Sequence, residues 1–133
     1  ALRFGGANGL DFRGLTLDGV SGERIEARLW WQSPAGEMPP PVDYSISLYL
    51  RNSQGNLVAQ ADGPIQHYGG ETVQTSQMEP GRLYMDVRRL ELPAGLPPGD
   101  YSLAVAVYQS WDGVRLLLGD GSDAYAGPTV TIR

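Results

Sequence analysis

The chain has no cysteine, no lysine and a single histidine, His67. Without cysteine there can be no disulfide, thiolate metal site, thiol nucleophile or redox pair. Without lysine, all ten basic residues are arginine, and the only adjacent basic pair is Arg88-Arg89. Fifteen acidic residues give a formal charge of -5. The basic stripe expected of a nucleic-acid binder is missing, so nucleic acid is not expected as a partner. Long apolar runs are missing as well. The longest spans residues 103–108, far short of the ~20 residues of a membrane helix, so direct membrane insertion is not expected. No signal peptide is seen, and the chain begins at Ala1. It reads as an excised domain or a processed product.

Glycine and proline are abundant, at 18 and 10 residues, as a turn-rich sandwich requires. The length of 133 residues suits a single domain, residues 1–133. Residues 1–11 are expected to be a flexible entry segment. No helical period persists, whereas strand alternation does. Leu15 and Leu17 mark a first strand. In residues 25–32, Ile25, Ala27, Leu29 and Trp31 share one face, while Glu26, Arg28, Trp30 and Gln32 share the other. Tyr44, Ile46, Leu48 and Leu50 should point inward. Asn52-Ser53-Gln54-Gly55-Asn56 forms a hairpin loop returning through residues 57–61. A long connection then runs from Asp62 to about Gly81. Within residues 82–92 the apolar phase changes from odd (Leu83, Met85, Val87) to even (Leu90, Leu92). That change predicts a bulge or a crossing between sheets near Arg88-Arg89.

Leu96-Pro97-Pro98-Gly99-Asp100-Tyr101 is the most telling phrase. A turn opens a strand whose first core residue is tyrosine, the pattern of a tyrosine corner. Tyr101, Leu103, Val105 and Val107 should face the core. Ser110-Trp111-Asp112-Gly113 is a hairpin with Asp-Gly as its turn signal. Residues 114–118 return, and residues 129–132 form the last strand. The predicted fold is a single all-β, immunoglobulin-like antiparallel sandwich of seven to nine strands.

Several phrases occur in order: Leu29-Trp30-Trp31-Gln32, Asp43-Tyr44-Ser45-Ile46, Gly55-Asn56-Leu57-Val58-Ala59-Gln60-Ala61-Asp62-Gly63, Pro80-Gly81, Asp86, Leu90-Glu91-Leu92-Pro93, Pro98-Gly99-Asp100-Tyr101, Val107-Tyr108 and Gly113-Val114-Arg115-Leu116. This set resembles the extracytoplasmic β-sandwich domain at the C-terminus of multi-spanning bacterial membrane proteins of the glycosyltransferase type, which use lipid-linked sugars. The resemblance covers nearly all of the chain after Asp11. Met78 stands where such domains tend to place tryptophan, and Arg82 where an acid is usual. The family's catalytic carboxylates lie in its membrane portion, so none is carried onto this chain. The resemblance implies an extracytoplasmic location in the cell envelope. It also implies a partner in the remainder of the parent membrane protein or another envelope component.

Candidate chemistry is sparse. His67 lacks a nucleophile motif and reads as a surface or structural histidine. Fifteen acids produce chance carboxylate pairs, and no sequence pattern marks a glycosidase pair. Asp120-Gly121-Ser122-Asp123 reads as a solvated turn, with calcium as the alternative. Gly5-Gly6-Ala7-Asn8-Gly9 lacks the context of a phosphate loop. No cofactor is expected. The aromatics are the better lead. Trp111 lies at a hairpin tip, and Trp30, Tyr49 and Tyr108 fall on outward phases. Such rings can stack on a glycan, cover an outer sheet face, contact a neighbouring domain or, for Trp111, fold back over the sandwich end. Three functions follow: a non-catalytic accessory or interaction domain, a carbohydrate-binding module, and a small glycan-active enzyme.

Overall fold

The alternation in residues 25–32 becomes β3 (Arg24–Gln32), in which Ile25, Ala27, Leu29 and Trp31 are buried. β3 is central to the computed structural model, which describes residues 2–67 and 70–133. Among the described residues ten strands form two antiparallel sheets. The others are β1 (Leu2–Phe4), β2 (Leu10–Val20), β4 (Ser45–Arg51), β5 (Leu57–Gly63), β6 (Ile65–His67), β7 (Glu71–Val73), β8 (Leu83–Glu91), β9 (Gly99–Tyr108) and β10 (Tyr125–Ile132). The larger sheet runs β1-β2-β3-β8-β6-β7 and the smaller β10-β9-β4-β5. The runs β2-β3-β8-β6 and β10-β9-β4-β5 follow the immunoglobulin-like order, in which β9 corresponds to the strand bearing the tyrosine corner. The count exceeds nine because β1, β6 and β7 are three-residue strands. β6 and β7 lie in the expected long connection.

Tyr101 anchors the corner. Its ring is buried, and its hydroxyl donates to the Pro97 carbonyl at 2.5 Å. Ile46, Leu48, Leu50, Leu103, Val105 and Val107 line the core as expected. Tyr44 lies one residue before β4 and is half-buried against that core. Trp31 fills the middle, with Phe4 and Phe12 rings at 6.0 and 5.0 Å.

Three expectations change. Residues 1–11 are more than an entry segment: β1 pairs with β2, and Phe4 and Leu10 are fully buried. The hairpin between them needs glycine at position 9, where a Cβ would stand 2.2 Å from the Phe4 carbonyl. Glu37 also ties the segment down, accepting from Arg3 and from the Asn8 amide, each at 2.9 Å. Residues 114–118 do not form a strand. They make one bridge, Arg115 to Tyr108, and the final strand starts earlier, at Tyr125.

The third change is the most consequential. β8 keeps one unbroken register against β3, from Arg24↔Glu91 to Gln32↔Leu83, with no bulge. Its buried side chains are Tyr84, Asp86, Arg88 and Leu90. Leu83 and Val87 are exposed instead, and Met85 is half-buried. The phase change in the sequence is therefore an inward ion pair replacing inward hydrophobes. The Asp86 carboxylate accepts from Arg88 Nε (3.0 Å), Trp31 Nε1 (3.1 Å) and the Gln66 amide (2.9 Å). The Arg88 guanidinium crosses to the smaller sheet and donates to the carbonyls of Ile46, Ala61, Gly63 and Pro64. Gly63 and Pro64 are where the chain leaves β5 to enter β6, so this pair holds the crossing between sheets. Removing one partner of such a pair leaves an uncompensated buried charge, which makes the arrangement cooperative.

Candidate functional site

The inversion of β8 shapes the outer face of the larger sheet. Trp30 on β3 pairs with Met85, Arg28 with Val87 and Gln32 with Leu83. The result is an apolar strip of Trp30, Leu83, Met85 and Val87, with Leu83 and Val87 about half exposed at 49% and 48%. Around it the charges are matched: Arg28 with Asp18 (2.9 Å), Arg89 with Glu26 (3.4 Å) and Arg24 with Glu91 (3.9 Å). The Arg28 guanidinium also lies 5.7 Å from the Trp30 ring centroid. Arg13 is different. It is the extra residue of a bulge between Phe12 and Gly14, is exposed, and makes no ion pair or hydrogen bond among the described residues. With Trp30, Gln32 and Leu83 it lines a shallow hollow of about 440 Å³.

The middle of the outer face of the smaller sheet is covered by the protein's own side chains, while Gln60, Ser102 and Thr129 nearer its edges are exposed. Tyr49, read as outward, does face that way but is buried beneath two guanidiniums. Arg51 and Arg115 lie 5.0 and 5.3 Å from its ring centroid. Tyr108, half-buried on the same face, donates to Asp62 at 2.6 Å, and Asp62 also accepts from Ser47 at 2.7 Å. The hydrogen bond to Asp62 holds the Tyr108 hydroxyl above its ordinary pKa.

Trp111 does not fold back over the sandwich. It is 59% exposed at the tip of a tightly tied turn. There the Gln109 carbonyl accepts from the Gly113 amide (2.7 Å), and Asp112 Oδ1 accepts from the Val114 amide (3.0 Å). Ser110, the residue before Trp111, helps to line a hollow of about 300 Å³ with Asp43, Tyr44, Ser45, Pro64 and Gln74, so the indole is carried at the rim of that hollow by chain connectivity rather than in its wall.

The four candidate aromatics therefore do not form one platform. Trp111 and Tyr108 share one end of the sandwich, Tyr49 is enclosed, and Trp30 belongs to the opposite sheet. Leu83, Met85 and Val87 were not expected on the surface. The signal was present in Asp86 and Arg88, whose spacing places both charges on one strand face.

His67 sits in β6 with Nδ1 3.1 Å from the Met85 carbonyl and its ring edge-on to Tyr84. Among the described residues neither a hydroxyl nor a carboxylate hydrogen-bonds to it. Asp120 accepts from the amide and hydroxyl of Ser122, which hold its carboxyl below the usual range. Asp123 instead faces Arg115 at 3.5 Å. Among the described residues no three His, Asp or Glu side chains gather as a metal-binding group. No helix there is long and apolar enough to cross a membrane. The fold and these surfaces define an immunoglobulin-like β-sandwich with one open apolar sheet face. No family model and no curated protein matches the chain.

Proposed function

We propose that this is a non-catalytic interaction domain whose larger sheet docks on another protein. The observation carrying this reading is β8, which turns Leu83, Met85 and Val87 outward beside Trp30 while burying Asp86 and Arg88. Contiguous apolar surface of this kind marks binding faces in folded proteins. The neighbouring charges are neutralised in pairs, which leaves Arg13 as the one cation at the rim with no partner among the described residues. The surface therefore suits a protein partner with an apolar patch and a carboxylate placed opposite Arg13. The resemblance to sandwich domains of envelope glycosyltransferases supports an extracytoplasmic location and a partner within such a membrane protein.

Hydroxyl-radical footprinting tests this. Trp30 and Met85 both react readily, and each stands on the proposed face. In the protein as expressed in its own cell envelope, both should be oxidised several-fold more slowly than in the isolated domain. Met38, exposed elsewhere at 70%, supplies the reference. Equal oxidation of Trp30 and Met85 in the two states would overturn the docking face.

A further inference from the structure

We propose that the sandwich end beside Trp111 is a subsite for a neutral saccharide. This does not rest on the docking face, which lies on the other sheet. Four observations converge on it. First, an exposed indole is carried by a turn whose backbone is tied by its own hydrogen bonds, so the point from which the ring projects is set before any ligand arrives. A large aromatic left in water is available for stacking on an apolar ring face.

Second, the adjoining hollow of about 300 Å³ lies at the small end of ligand-pocket volumes. It suits a single sugar ring rather than a folded segment of protein.

Third, its lining holds hydrogen-bonding capacity that the protein has not used. The Tyr44 hydroxyl, the Gln74 amide and the Ser110 hydroxyl have no hydrogen-bond partner among the described residues. Asp43 accepts from Ser76 through Oδ1, and its Oδ2 has no hydrogen-bond partner among the described residues. Together these groups both donate and accept. A sugar presents the same mixture in its hydroxyls and offers a C–H face to the indole.

Fourth, the charge is one-sided. Asp43 lines the hollow, Asp62 holds the adjacent Tyr108, and Asp112 shapes the turn. Among the described residues no arginine lines the hollow, and Arg88, which reaches the Pro64 carbonyl behind it, is paired with Asp86, so phosphates and other anions are disfavoured.

The test is a titration of the chain with cellobiose, maltose, mannobiose and N,N′-diacetylchitobiose, followed by tryptophan fluorescence and amide chemical shifts. At least one should give saturable binding with Kd on the order of 1 mM. Amide shifts should map to residues 43–45, 74 and 108–113. Trp111→Ala should weaken binding at least tenfold. Gln74→Ala should weaken it severalfold, whereas Trp30→Ala should bind as the wild type does. Both Trp111 and Gln74 lie outside the core, so an unchanged far-ultraviolet spectrum confirms that each variant is folded. The proposal is overturned by no saturable response to any of the four sugars, by full binding in Trp111→Ala, or by a response lost in Trp30→Ala.

Discussion

Replacing Arg88 by methionine breaks the one ion pair among the described residues whose two side chains are both buried. The side chain is 4% exposed and its partner Asp86 is fully buried. In the variant the Asp86 carboxylate keeps, among the described residues, only Trp31 Nε1 and the Gln66 amide as donors. The carbonyls of Gly63 and Pro64, at 3.0 and 2.9 Å from the guanidinium, lose theirs. Removing one partner of a buried ion pair costs ~3–5 kcal/mol. Unfolding entropy of about 2.1 cal/mol/K per residue gives about 0.28 kcal/mol/K for a chain of 133 residues. Tm should therefore fall by roughly 11–18 °C, measured by circular dichroism or calorimetry. A cycle completes the argument. Asp86→Asn with Arg88→Met removes both charges, and the double variant should be less destabilised than the two single losses combined. The coupling should be on the order of 1–3 kcal/mol. A loss below about 4 °C for Arg88→Met, roughly 1 kcal/mol, would show that the pair does not hold the sheets together. Strict additivity would show that the two charges do not act as one unit.

Two further outcomes are expected. Tyr101→Phe removes the bond to Pro97 and should cost about 0.5–1.5 kcal/mol in urea unfolding; no measurable loss would remove the corner's hydrogen bond from the account. Tyr108 has its folded pKa raised above 10.0, chiefly by the hydrogen bond to Asp62. The stability it contributes is then fully present below the unfolded pKa and is lost as pH rises through the folded one. The wild-type urea midpoint should therefore fall more steeply on the alkaline side than that of Tyr108→Phe, and parallel profiles would refute the link.

Where local pattern and tertiary packing agreed, the sequence was readable. β3 alternates cleanly because it presents one face to the core; β4 and β9 carry the same inward series, although Ser47, Tyr49 and Ala106 on their outer face are buried as well. The Tyr101 corner was legible for a similar reason, since a tight turn before a core tyrosine leaves the hydroxyl within reach of its own preceding backbone. β8 was misread because hydrophobicity marks the inward face only when that face is apolar. Nothing in residues 82–92 announces that Asp86 will meet Trp31, 55 residues distant, or that Arg88 will reach Ile46. The same non-local contacts concealed the strip on the outer face. Trp111 and Tyr108 were found because they flank a turn, a local feature. Asp43 and Gln74, which complete that hollow, come from loops far apart in the chain. Phe4 was overlooked because a glycine-rich stretch masks a strand when only one of its residues is buried deeply.

β8 divides its labour by parity. Even positions 84, 86, 88 and 90 hold the two sheets together, and odd positions 83, 85 and 87 meet the surroundings. Substitutions at the odd positions alter what the face recognises while leaving the interior charges undisturbed. A shift of the strand by one residue would bring those charges into water and disassemble the crossing. The ionic interior thus fixes the frame in which the exposed residues can vary. Related domains can be expected to change partners at 83, 85 and 87 while keeping an acid and an arginine two residues apart behind them.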